Sequence, residues 1–218
     1  MPKSAGLSRN CLLVRSSGEE LVAEHSEPSE SCLLLNGFVA RAQFLPDGKR
    51  QLTAIHIAGD FVDLHALLLK VMDHMALAPC EAAFVPHTSI VAAVEACPHL
   101  GRLFWLSTVI DGAIERTWVT SLGRRSALVH LAHLICELYV RLEMVGLVRG
   151  NSFDFPLTQA DIADMIGLSL VHTNRTIQEI RSGLIIWERK VLTIIDQQRL
   201  RDFAEFDPTY LNLVNRPR

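Results

Sequence analysis

The sequence predicts an α+β fold in three parts: a β-barrel or jelly roll, a long helical stretch and a winged helix-turn-helix. Three observations predict it. Short β-branched and aromatic runs, punctuated by glycine and proline, fill residues 31 to 60 and continue through "MALAPCEAAFVPH". From Leu103 onward apolar residues recur at helical spacing instead. After Pro156 two short helical patterns follow across a three-residue break, and an apolar hairpin closes them.

The bulk numbers bound the answer. The 218 residues suffice for one large domain or two small ones, and 49% hydrophobic against 21% charged residues describes a folded chain. No apolar run reaches the roughly 18 residues of a membrane span. The opening "MPKSAGLSRNCLLVRSSGEE" holds only "CLLV" as an apolar core, too short for a signal peptide, so a cytoplasmic location is expected. The five cysteines (Cys11, Cys32, Cys80, Cys97, Cys136) never lie within four residues of one another. That spacing fits neither a disulfide framework nor a zinc or iron–sulfur ligand set. A net charge of −3 argues against indiscriminate coating of nucleic acid but leaves a small local binding surface open.

In residues 1–100, "CLLLNGFVARAQFL" and "RQLTAIHIAGDF" read as strands, with the Asp-Gly of "LPDGKR" as a hairpin tip. Gly37 and Gly59 mark bends. In "MALAPCEAAFVPH", Pro79 and Pro86 are expected to confine the strands to edges or turns. A short helix near residues 88 to 96 is expected to end at Pro98. Residues 101–149 then read as two helices, from Leu103 to about Leu122 and from Ser126 to Leu147. In the first, Leu103, Leu106, Ile110, Ala113 and Thr117 form a heptad-like seam. Trp105, Val109, Trp118, Val119 and Leu122 lie off that seam, so the helix needs more than one packing partner, plausibly including its copy in a second subunit.

Residues 150–218 make the third part. Thr158 is a good N-cap, with Asp161 as its capping-box partner, and "QADIADMI" buries Ile162, Ala163 and Ile166. Gly167 ends that helix, and Ser169 caps the next. On a wheel of about 100° per residue, Leu170, Thr173, Ile177 and Ile180 point inward, while Val171, Asn174, Arg175 and Gln178 point outward. A helix placed this way enters the major groove of DNA. Arginine matches guanine O6 and N7, asparagine or glutamine matches adenine, and valine touches a thymine methyl. Thr158, Ser169 and His172 stand where phosphates are held, and the "LIIWERKVLTII" wing brings Arg189 and Lys190. Arg175 and Arg181 are expected near the same surface.

These residues, with "LLLNGFVAR", "LPDGKRQLTAIHIAGDF", "SLGRRSALVHLAHLICEL" and "LTQADIADMIGLSLVHTNRTIQEIRSGLI", make the chain resemble a Crp/Fnr-type bacterial transcription regulator from about residue 20 onward. The resemblance implies a cyclic-nucleotide-binding-like sensor barrel, a dimerisation helix and a homodimer on palindromic DNA. It also implies contact with RNA polymerase and control by a small-molecule effector, or by none. Two recognition helices would stand about 34 Å apart.

The departures shape the expectation. Where cyclic-nucleotide binders of the family carry glutamate and then arginine, "GDFVDLHALL" has Leu64, with Asp63 out of register and His65 beyond, and "DHMA" has His74 and Met75. Histidine lacks arginine's permanent charge and two-donor fork, so cyclic AMP is not expected to bind tightly. Many relatives carry glutamate at the position of Val171, so their half-site is not assumed, whereas Arg175 matches the family's base-reading arginine. No cofactor is expected. His130, His133 and Glu137 share a helical face that suits a metal, but such groups are more often surface or hinge residues. His56, His65 and His74 lack tight ligand spacing. No enzymatic motif rises above background. The competing reading is a small-molecule- or metal-binding β-barrel protein, enzymatic in one version, whose helical C-terminal region mediates protein contacts.

Overall fold

The structure, a computed structural model, describes residues 12–16, 18–22, 28–67 and 73–213. Two compact units emerge. One comprises the described residues up to Arg41 with His56–Trp105; the other comprises Ala42–Ile55 with the described residues from Leu106 on.

Short strands open the chain, as expected, those within Ala42–Ile55 belonging to the second unit. β1 (Leu12–Arg15), β2 (Glu20–Val22), β3 (Glu30–Asn36), β4 (Val39–Phe44) and β5 (Arg50–His56) precede β6 (Asp73–Ala76) and β7 (Cys80–Pro86). One antiparallel sheet has the order β1-β7-β3 and a second the order β2-β6-β4-β5. The alternation in β3 and β7 sends Cys32, Leu34, Cys80 and Ala82 inward, where they pack with Val39 and Val62. Placing β7 at the centre of its sheet corrects the expectation from its prolines. Pro79 lies just before the strand and Pro86 is its last residue, so neither removes an interior ladder bond. Gly37, at φ 92°, permits a close approach: a Cβ there would stand 2.6 Å from the Pro79 carbonyl.

The "LPDGKR" turn joins β4 to β5 as expected, closed by the Leu45 N–H on the Lys49 carbonyl at 2.8 Å. Helix α1 (His87–Ala96) follows β7. It stops just before Pro98, as expected, and Pro98 also opens α2 (Pro98–Arg124), since the first turn has no use for its missing N–H. At 27 residues α2 spans about 40 Å.

In the second unit, Ile114, Trp118 and Ser121 form the buried side of α2. Helix α3 (Ala127–Met144) is buried on every side from His130 to Val140, against α4 (Gln159–Ile166), α5 (Leu170–Arg181) and α6 (Gln197–Phe203). A helix buried all round belongs in a core, and this one organises the unit, carrying His130, His133 and Glu137 inside it. The sheet β10-β11-β9-β8 completes it, from β8 (Val148–Arg149), β9 (Ser152–Asp154), β10 (Ile185–Glu188) and β11 (Val191–Ile194). Arg189 and Lys190 turn the wing with φ of 49° and 67°, between the paired Glu188 and Val191. Two positive φ values across a two-residue loop make a type I′ turn, normally an Asn-Gly or Asp-Gly site.

Candidate nucleic-acid interface

Local chemistry sets the two helices. The Thr158 hydroxyl accepts the Asp161 N–H at 3.1 Å, and Asp161 Oδ2 accepts the Thr158 N–H at 2.9 Å and its hydroxyl at 2.7 Å. Gly167, at φ 70°, ends α4 in the left-handed conformation, and the Ser169 hydroxyl accepts the His172 N–H to start α5. Thr173, Thr176, Ile177 and Ile180 are buried. Leu170, expected to point inward, is instead 52% exposed: at the first helical position it projects past the core that the following turns reach.

Val171, Arg175 and Gln178 are exposed on the outer face. Asn174 is only half-buried, and its Oδ1 is enclosed with no hydrogen-bond partner among the described residues. Thr158, Ser169, His172, Arg189 and Lys190 are all exposed. A cleft of about 320 Å³ lies between the start of α4, α5 and the wing, lined by Thr158, Gln159, Arg181, Trp187, Arg189 and Lys190 among others. Among the described residues these three cations and Arg175 have no ion pair. The first N–H groups of α4 face no intrahelical acceptor, so the cleft combines a helix N-terminus with three free cations. Arg181 was expected near the wing cations; Gln159 and Trp187 were not singled out, and only the folded wing brings them to this cleft.

On α2, Leu103 is exposed and Leu106, Ile110, Ala113 and Thr117 are half-buried. Trp105, Val109, Val119 and Leu122 are exposed as well, Trp105 by 73%. In the first unit Leu64 is buried and His65 half-buried; His74 and Met75 lie on β6, with side chains outside what is described. Cys11 is likewise outside the described residues. Asp63 is fully buried, its Oδ1 accepting the Cys32 N–H at 2.7 Å, and burial pushes its carboxyl up to about 6. It pins the turn onto β3.

His130, His133 and Glu137 are not surface groups, which corrects that expectation: all three are buried in α3. His133 reaches the Ala204 carbonyl through Nδ1 and the Tyr210 hydroxyl through Nε2, each at 3.3 Å. Glu137 accepts from Tyr210 at 2.8 Å, from the Trp118 indole N–H at 3.2 Å and from Arg141 at 3.4 Å. Among the described residues no three His, Cys, Asp or Glu side chains are grouped to hold a metal.

Burial first, then neighbouring positive charge, lowers His130 and His133 to about 4 each. The unfolded chain therefore takes up these protons first as pH falls. The stability they contribute is complete above pH 6.5 and is lost as pH drops through about 4. The expected loss is about 2 kcal/mol per histidine at about pH 5. Asp63 works in the opposite sense over part of that range, because its raised carboxyl adds stability as pH falls through about 6. The check is thermal melting of parent and of the His130→Gln, His133→Gln variant between pH 7.5 and pH 5: the variant should lose much less stability. Equal slopes would show that these histidines do not titrate on unfolding.

The profile of the Crp-like helix-turn-helix domain matches residues 129–203. A probable transcriptional activator of Rhizobium leguminosarum bv. viciae is 26% identical over 164 residues, covering 75% of this chain and 68% of the relative. The transcriptional activator protein FnrL of Cereibacter sphaeroides is 27% identical, covering 80% of this chain and 72% of its own. Among solved structures, FixK2 of Bradyrhizobium japonicum superposes with a TM-score of 0.74 at 20% identity, over 88% of this chain and 96% of that one. No helix among the described residues is long and apolar enough to cross a membrane. Residues 129–203 thus form a Crp-like helix-turn-helix domain, and along three quarters of its length the chain is similar to transcriptional activators and shares the fold of FixK2.

Proposed function

We propose that the protein binds a palindromic operator as a homodimer, with α5 in the major groove and no cyclic nucleotide required. The carrying observation is the exposed outer face of α5, where an unpaired Arg175 stands beside Gln178 and Val171. Arg175 takes guanine, Gln178 adenine, and Val171 a thymine methyl. Asn174 joins them by swinging its amide outward, which gives its unpartnered oxygen a base donor. Thr158, Ser169, His172, Arg189 and Lys190 hold phosphates. The Thr158 hydroxyl is already engaged by Asp161, so the start of α4 offers chiefly its N–H groups.

Leu103, Leu106, Ile110, Ala113 and Thr117, with the exposed apolar groups beside them, are the proposed dimer seam. RNA polymerase is the proposed second macromolecular partner, a reading that the activator names of the similar proteins support. Leu64 supplies no anchor for a ribose, so the sequence positions Leu64, His65, His74 and Met75 are proposed to serve another effector or none. Selection of duplexes bound by the purified chain, with no nucleotide added, tests the reading. The expected product is an inverted repeat with half-sites about 10 bp apart, bound by two chains in native mass spectrometry. A lone half-site, or binding that appears only with cyclic AMP, refutes it.

A further inference from the structure

One contact reaches α4 from far away in the sequence. Arg50, at the start of β5, donates from Nη2 to Asp161 Oδ1 and from Nε to Asp164 Oδ2, both at 2.7 Å. The next residue, Gln51, donates to the Met165 carbonyl at 3.2 Å, on the last turn of the same helix. The Arg50 side chain is 19% exposed, and the two carboxylates are 10% and 30% exposed. Burial works against the guanidinium, yet the paired carboxylates of Asp164 and Asp161 hold it firmly charged.

Asp161 has a second task. Its other oxygen, Oδ2, closes the capping box on Thr158. Arg50, Asp161 and Thr158 thus form one chain of charge-assisted hydrogen bonds ending at the first turn of α4. Without Arg50, two carboxylates at the head of α4 would be left with one less cation, beside a surface meant for phosphate. The carboxylate that shapes the cap would also lose the group that fixes its second oxygen.

We infer that Arg50 is a positioning residue for DNA binding: a hairpin from the sensor half of the sequence holds the first helix of the DNA-binding pair through Asp161 and Asp164. The inference rests on the proposed phosphate role of the α4 start. It differs from that role because Arg50 itself touches carboxylates and no phosphate.

The test uses the full chain and two readouts. In free protein, hydrogen exchange of the α4 amides should be about tenfold faster in Arg50→Ala, as a lost charge-assisted bond allows. On the selected operator, Arg50→Ala should bind about tenfold more weakly with an unchanged salt slope. The exchanged pair Arg50→Asp with Asp164→Arg should recover most of the affinity that Arg50→Asp alone loses. Unchanged exchange in α4 overturns the inference whatever the DNA result. So do unchanged or tighter operator binding, a salt slope reduced by about one, or no recovery in the exchanged pair. If the parent chain selects no operator, the DNA reading fails, and the exchange measurement still decides the role of Arg50.

Discussion

Arg175→Ala should abolish operator discrimination while leaving the protein folded. Arg175 is exposed and unpaired among the described residues, so its removal opens no cavity and strands no buried partner. On DNA the loss is large: a bidentate arginine–guanine contact is worth about 1–3 kcal/mol, and a dimer makes it twice. Operator affinity should therefore fall about a hundredfold or more, with non-specific binding to unrelated duplex little changed. Competition binding against a scrambled duplex, with melting as the folding control, measures both. Equal operator preference in parent and variant would remove α5 as the reading element and favour Arg189 and Lys190 as a purely phosphate-binding surface.

Glu137→Ala should be the most destabilising single change in the second unit. Glu137 is wholly buried and accepts from Trp118, Tyr210 and Arg141. Arg141 continues the network to the Ile55 carbonyl at 2.9 Å. Burial pushes the Glu137 carboxyl up, while Arg141, Tyr210 and Trp118 pull it back. Truncation takes the shared buried acceptor from the Trp118 indole N–H, the Tyr210 hydroxyl and the Arg141 guanidinium, leaving Tyr210 with His133 and Arg141 with the Ile55 carbonyl. Breaking such a set costs about 3–5 kcal/mol, whereas exchanging the whole set for apolar groups can be neutral. For a chain of this size the melting point should drop by about 10 °C. Glu137→Gln keeps an acceptor and should lose clearly less. A Glu137→Ala protein that melts with the parent would show that water or a shifted Tyr210 replaces the carboxylate at no cost.

Where fold and site were legible, the signal was local. The capping box of Thr158 and Asp161, the left-handed Gly167 and the Ser169 cap each depend on residues within one turn, and each formed as expected. The wheel placed Arg175 and Gln178 outward for the same reason. It misjudged Leu170, because a helix end projects beyond the core its later turns reach, and it missed the enclosed amide oxygen of Asn174. The α3 histidines looked like surface groups because spacing alone does not report the C-terminal segment that brings Ala204 and Tyr210 to His133. Arg50 gave no sign of its role: its partners lie 111 and 114 residues on, and no periodicity carries information over that separation.

The wing tip has a consequence for docking. Left-handed backbone costs an ordinary side chain roughly 1 kcal/mol, yet Arg189 and Lys190 both adopt it. The ladder pair that flanks the loop, Glu188 with Val191, holds it in this shape, so the backbone carrying the two charges is set before contact. Less disorder remains to be surrendered when they meet a duplex, and the bend the chain endures at rest shortens the step to contact.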